Sequence, residues 1–213
     1  MDENLRWHRR QLLERAASAL EKNGISAAVC ENREEAVNWL LGCAGPAETI
    51  GFGGSMTLAE LGLVRLLEET GKTTLVHGRA GLTPEQRRET MQRQLDCDLF
   101  FTSTNALTVQ GQLVNIDATG NRVGAMAFGP RKVVVVAGAN KIAGDLDAAL
   151  RRVKEVACPP NARRLGFKTP CAATGRCNDC DSPDRICRIT TIIDRCPRAT
   201  DLAVCLVNED LGY

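Results

Sequence analysis

Lys132-Val133-Val134-Val135-Val136-Ala137 is the stretch on which the fold turns. A run of valines leaves no polar face, so a strand built from it must be covered on both sides, as the inner strands of parallel sheets are. The sequence around it supplies the cover. Upstream, Ile25 to Cys30, Glu48 to Phe52, Thr73 to His77 and Leu99 to Thr102 read as short strands. Between them Arg33 to Leu41, Ser55 to Glu69 and Pro84 to Leu95 read as helices, the last opened by proline in its first turn. A long helix precedes them all, because Leu5, Leu12, Leu13, Ala16, Ala17 and Leu20 recur at helical spacing and Asn23-Gly24 supplies the stop. Strand and helix in alternation imply parallel pairing through crossover helices. Gln112 to Ile116 and Arg122 to Phe128 interrupt that pattern; they flank the turn formers Asp117 to Asn121 and read as a β-hairpin. Asp145 to Val156 reads as a helix capped by Asp145, and Ile189 to Ile193 and Leu202 to Val207 as two last strands of the main sheet. The expected fold class is α/β, a three-layer sandwich on a mostly parallel sheet, spanning residues 1–213 as one domain.

Composition narrows the function. The chain has 213 residues, 44% of them hydrophobic, which is enough for a sizeable core. Its formal net charge is +1 with dispersed charges and few aromatics, so neither nucleic acid nor an anionic membrane is expected as a partner. No apolar run reaches the roughly 18 residues of a membrane span, and the charged helical pattern at Met1 to Leu20 does not read as a secretory signal. A cytoplasmic location is expected.

That compartment gives weight to Cys171, Cys177, Cys180 and Cys187, spaced C-x5-C-x2-C-x6-C. In a reducing cytosol such a cluster points to a metal or redox centre rather than to disulfides. The Cys177/Cys180 pair has the spacing at which one turn aims two thiolates at one ion, and Asn178-Asp179 and Asp181-Ser182-Pro183-Asp184 are turn formers that let the loop fold round it. Zinc suits tetrahedral thiolate geometry, and the spacing is not that of a ferredoxin. Residues 158–188 are read as a cysteine-rich metal-binding loop inserted before the last strands. The remaining cysteines, Cys158 among them, need no function; Cys30, Cys97 and Cys205 read as small apolar residues, and Cys196, before Pro197, reads as a residue without a role ahead of a spare ligand or redox partner.

Two further groups suggest a ligand site. Gly51-Phe52-Gly53-Gly54-Ser55-Met56-Thr57 joins a strand to a helix, an arrangement that lets backbone N–H groups approach an anion, although its spacing is neither a dinucleotide fingerprint nor a P-loop. Ser55 or Thr57 as a plain helix cap is an equal reading. Asn105, Asp117, Asn121, Arg122, Asn140 and Lys141 lie at the ends of apolar strands, where open α/β sheets bind ligands. Arg122 and Lys141 are suited to an anion, Asp117 to accepting a proton, and the asparagines to orienting a small charged metabolite. Lys141 is counted with Asp117 as a catalytic candidate. Ordinary turn chemistry would explain the same residues. His8 and His77 have no sequence partner suggesting a triad and read as surface or core residues.

Gly53 to Leu58, Thr104 to Thr108, Asp117 to Arg122, Phe128-Gly129-Pro130, Asn140-Lys141, Pro160-Asn161-Ala162, the cysteine loop and Val207 to Tyr213 together resemble the lactate-utilization (LUD domain) family over nearly the whole chain. The resemblance implies a fold similar to the ribose-5-phosphate isomerase, glucosamine-6-phosphate deaminase and coenzyme A transferase group. It also implies a role beside iron–sulfur partner proteins that oxidise lactate to pyruvate, like that of the C component of a lactate-utilization operon. On that reading the cysteines hold zinc or an iron–sulfur cluster and Gly53, Gly54, Ser55, Thr57, Asn105, Asn121, Arg122 and Asn140 bind the small anion. The alternative is a stand-alone isomerase or transferase acting on a phosphorylated or coenzyme A-linked substrate, with Asp117 as base and a structural zinc.

Overall fold

A computed structural model describes residues 2–213. Among the described residues ten strands form two sheets. The larger contains β1 (Ser26–Cys30), β10 (Asp201–Val207), β7 (Lys132–Gly138), β4 (Leu99–Ser103), β2 (Thr49–Phe52) and β3 (Thr73–Leu75), in that order, and every neighbouring pair is parallel. The valine run occupies an inner strand, as its composition demands. Because side chains alternate across a strand, Val134 and Val136 enter one core with Ala203, Cys205 and Phe101, while Val133 and Val135 enter the opposite core with Leu202, Val204 and Phe100. Helices α2 (Arg33–Ala44), α3 (Met56–Glu60) and α4 (Leu63–Glu68) cover the first face through Leu40, Leu58, Leu63 and Leu67. The second face is covered by α1 (Glu3–Lys22), α6 (Asn121–Ala127) and the smaller sheet. The protein is thus a three-layer α/β sandwich.

The smaller sheet runs β8 (Ile142–Ala143), β5 (Ala106–Thr108), β6 (Leu113–Asp117), β9 (Ile189–Ile193). Leu107 and Leu113 face the main sheet and α1, whereas Ala106 and Val114 face α7 (Leu146–Arg152). Its β5–β6 hairpin lies directly on α1: a Cβ on Gly111, which holds φ +82°, would come 2.8 Å from the backbone nitrogen of Leu20. Asn23 donates to the carbonyl of Gln110 at 3.0 Å across the same contact. α5 (Pro84–Arg93) is capped by Thr83 and Gln86 in a reciprocal box and buries no residue.

Four local expectations are corrected. Arg122 to Phe128 is not the second arm of a hairpin but the short helix α6; β6 pairs instead with β5 and β9. Ile189 to Ile193 lies at the edge of the smaller sheet, not in the main one, with Asp117 opposite Ile189. Ser55 to Glu69 is two helices, because Gly62 takes a left-handed φ of 62° between α3 and α4. The helix begun at Leu146 does not end at Val156; it widens to a π-turn over Val153–Ala157 and continues as α8 (Cys158–Arg164), followed by α9 (Pro170–Thr174). Pro159 and Pro160 have no N–H to return to the carbonyls of Glu155 and Val156, and the wide turn ends where they stand.

Candidate functional site

The chain leaves β2 toward one face of the main sheet, through α3 and α4, and reaches the other face after β4, through the smaller sheet and α6. Loops that part in this way open a crevice at the carboxyl ends of adjacent strands. A cavity of about 290 Å³ lies there, lined by Gly54, Ser55 and Thr57 after β2, His77 after β3, Ser103 to Asn105 after β4, and Lys141 after β7. Asp117, Asn121 and Arg122 close one side, and Asn161, Arg164, Phe167, Ile186 and Tyr213 another.

Lys141 sits on the floor, 4% exposed. Its Nζ donates to Thr57 Oγ1 and Ser103 Oγ, each at 2.8 Å, and to the carbonyl of Thr104 at 3.2 Å. Among the described residues no carboxylate pairs with it. Burial, then the nearby positive charges of Arg152 and Arg122, push it from 10.5 down to about 7, with only Glu60 acting the other way. Arg152 is held behind it by a hydrogen bond from Nε to the carbonyl of Asn140 at 2.8 Å.

Arg122 and Asp117 are committed to each other. Arg122 Nε and Nη2 both donate to Asp117 Oδ1, and Asp117 Oδ2 accepts from the backbone N–H of Val123 at 3.1 Å. The remaining guanidinium N–H groups go to the carbonyls of Ser103 and Ile116 and to the side-chain oxygens of Asn105 and Asn115. Both residues therefore shape the cleft wall; the guanidinium has no N–H left for an anion. Asn105 fixes the start of β5 by accepting from the N–H of Ile116 at 2.9 Å.

Of the other expected ligand residues, Gly54, Ser55, Thr57, Asn105 and Asn121 reach the cavity; Gly53 and Asn140 do not line it. A Cβ on Gly53 would stand 2.6 Å from Thr102 Oγ1, so glycine is needed there for packing against β4. Ser55 caps α3 through the N–H of Leu58 at 3.4 Å. Asn140 clamps the last residues, accepting from Leu211 N and donating to the carbonyl of Gly212, each at 3.1 Å. His77, expected on the surface or in the core, is instead half-buried in the cavity wall. The Gln94 amide nitrogen donates to the carbonyls of Phe52 and Leu75 and stands 3.2 Å from His77 Nδ1, which leaves Nε2 facing Gly54. Burial lowers the pKa of His77, so the ring is neutral at pH 7. Ser103 stands in the polar stretch that ends β4, where a ligand site is expected, whereas His77 carries no motif and only its place after β3 could have singled it out.

The cysteine loop encloses a second, smaller cavity of about 20 Å³. Cys171, Cys177, Cys180 and Cys187 line it, and so does Cys158 at the start of α8, which the spacing of the other four does not include. Cys158 and Cys187 lie 3.3 Å apart. The Cys158 contact, aided by Arg185 and Lys154, pulls Cys187 down to about 7, and the Cys158 thiol is pushed up in turn. Asp179, between Cys177 and Cys180, adopts φ 49°, the single non-glycine residue with positive φ among the described residues. Arg185 braces that turn by donating to the carbonyls of Cys180 and Cys187 and to Asp179 Oδ1, all at 2.8 Å. The donors suit a thiolate-bound centre, although among the described residues no three are gathered round one point. Cys196 lies elsewhere, donating to the carbonyl of Thr200 beside Gly24. Ile186 lines both cavities, so one side chain separates the cysteines from the cleft.

An open parallel sheet with a polar crevice at its switch point defines an α/β protein of the three-layer class. The LUD domain family model matches residues 13–207, and the chain belongs to that family. A DUF162 family protein from Deinococcus radiodurans, seen in a crystal structure, shares the fold, with a TM-score of 0.51 at 13% identity, covering 93% of this chain and 98% of that one. No curated protein matches the chain. Among the described residues no helix is long and apolar enough to cross a membrane.

Proposed function

We propose that the protein is a cytoplasmic accessory protein of lactate utilization that holds a small anionic metabolite over Lys141. In this reading it also carries zinc or an iron–sulfur cluster on its cysteine loop and works beside iron–sulfur partner proteins that oxidise lactate to pyruvate. Membership of the LUD domain family supports the lactate-related role. The observation that carries the site is Lys141, a buried cation without a paired carboxylate at the base of an open cavity. An anion entering the cleft would provide that missing charge, and burial makes the attraction stronger than it would be in water. His77 Nε2 and the hydroxyl of Ser103 would orient it. Calorimetric titration with lactate, pyruvate and phosphate is the test. Lys141→Ala is expected to weaken binding by about 1.5–3 kcal/mol, roughly tenfold to a hundredfold. Unchanged affinity in that variant overturns the site.

Cys171, Cys177, Cys180 and Cys187 would hold the metal, with Cys158 at hand beside Cys187. Bound there, zinc would pin the loop, and a cluster would offer an electron site one side chain from the cleft. Arg185 and the Asp179 turn hold the loop backbone in either case. Protein purified without oxygen is expected to contain near-stoichiometric zinc, or iron with inorganic sulfide. A chelator is expected to lower its melting temperature, and Cys180→Ser to lose the metal. Absence of both metals from anaerobic protein removes the centre, and a melting temperature indifferent to confirmed metal loss removes its structural role.

A further inference from the structure

We propose that Lys141 is a covalent catalyst whose Nζ condenses with the carbonyl carbon of a small 2-oxo carboxylate to form a Schiff base, with Ser103 relaying the proton. The inference deepens the proposed anion site and rests on it. A lysine amine attacks carbonyl carbon only when unprotonated, and burial beside other cations is the recognised way to keep it so. Lys141 meets both conditions: it is enclosed, and the positive charges nearest it belong to Arg152 and Arg122. A pKa of about 7 leaves a large neutral fraction in ordinary buffer.

The hydroxyls around Nζ give the geometry its chemical sense. An ammonium donates all three of its protons, here to Thr57, Ser103 and Thr104. A neutral amine donates two and presents a lone pair. Thr57 already donates its hydroxyl proton to the carbonyl of Leu211 at 3.2 Å. Ser103, 2.8 Å from Nζ, is free to turn its proton from Thr104 O or Thr57 Oγ1 to the amine. It can therefore take a proton from Nζ as the C–N bond forms and return one to the departing oxygen. The C–O bond of the carbinolamine breaks, water leaves, and the C=N bond remains, with no oxidant or reductant required. A carboxylate on the adjacent carbon would be drawn by the positive charges of Arg164 in the cavity wall and Arg152 behind Lys141 even while the amine is neutral, and a 290 Å³ cavity admits a molecule of a few carbons.

Incubation of the whole protein with pyruvate and sodium borohydride, followed by intact and peptide mass spectrometry, tests the proposal. One reduced pyruvyl group on the Lys141 peptide is expected. Lys141→Arg and Lys141→Met, each verified as folded by circular dichroism, should lack it. Ser103→Ala should slow adduct formation by about a hundredfold, the usual worth of a placed acid–base group. Adduct spread over surface lysines, or formed equally in the Lys141 variants, overturns the proposal. Calorimetry without borohydride separates the two readings: pyruvate bound but never trapped removes the Schiff base and leaves the anion site, whereas pyruvate neither bound nor trapped removes both.

Discussion

Lys141→Met is expected to make the protein more stable at about pH 6, by roughly 2–4 kcal/mol, and to give no gain near pH 10.5. The folded protein holds this lysine at about 7 against an ordinary value of 10.5. Between those values the unfolded chain binds a proton that the folded chain has given up, so wild-type stability climbs with pH through that window. Below about 7 the ammonium is buried at full cost, on the order of 5 kcal/mol at about 1.4 kcal/mol per tenfold. Methionine fills a similar volume without the charge. Thr57 and Ser103 would not be orphaned, since they reach each other, Leu211 O and Thr104 O. Urea unfolding of both proteins across the pH series is the measurement. A wild type more stable than the variant throughout would show that the three acceptors fully compensate the buried charge. A lysine kept at such a cost is a functional residue in the sense that stability alone would discard it.

The large parallel sheet was legible because its signal is compositional. A run such as Val133 to Val136 has no other comfortable place than a strand covered on both sides, and the helices before it carry their own caps at Asn32, Ser55 and Thr83. The smaller sheet was not, because β5 and β8 have three and two residues and no period can be read from so few. Helix α6 fails for the same reason from the other side. Over seven residues Val123 and Met126 fit a helix spacing, yet Val123, Ala125 and Ala127 alternate as a strand would. What decides is a tertiary contact, the carboxylate of Asp117 receiving the N–H of Val123. In the cleft, Lys141 and the end of the glycine turn line one cavity, since parallel strands deliver their following loops to one edge. Sequence could not show that Gly53 packs against Thr102 or that Asn140 holds Leu211, because both depend on neighbours far along the chain. Cys158 was passed over for lying outside the spaced motif, although the helix that starts with it turns toward Cys187.

Arg122→Leu is expected to cost about 3–5 kcal/mol and, for a chain of this size, to lower the melting temperature by roughly 6–20 °C. Both side chains of the Arg122–Asp117 pair are nearly enclosed, at 10% and 9% exposure. Removing the guanidinium leaves the Asp117 carboxylate buried with a single N–H from Val123, and strips donors from Ser103 O, Ile116 O and the oxygens of Asn105 and Asn115. Asn115 shows how strongly the guanidinium orders this wall: its Oδ1 is turned to Arg122 although its own Nδ2 then has no partner. Replacing Asp117 with leucine as well should recover part of the loss, because a charge no longer stands unpaired, so the double variant should cost less than the two single variants added together. The cleft should suffer in every case. Ser103, which faces Lys141, and Asn105, which opens β5, are both held by this one side chain, so pyruvate binding should weaken even in the double variant. A loss below about 1 kcal/mol for Arg122→Leu would mean that water replaces the guanidinium freely, and that the wall is open to solvent rather than built around an ion pair.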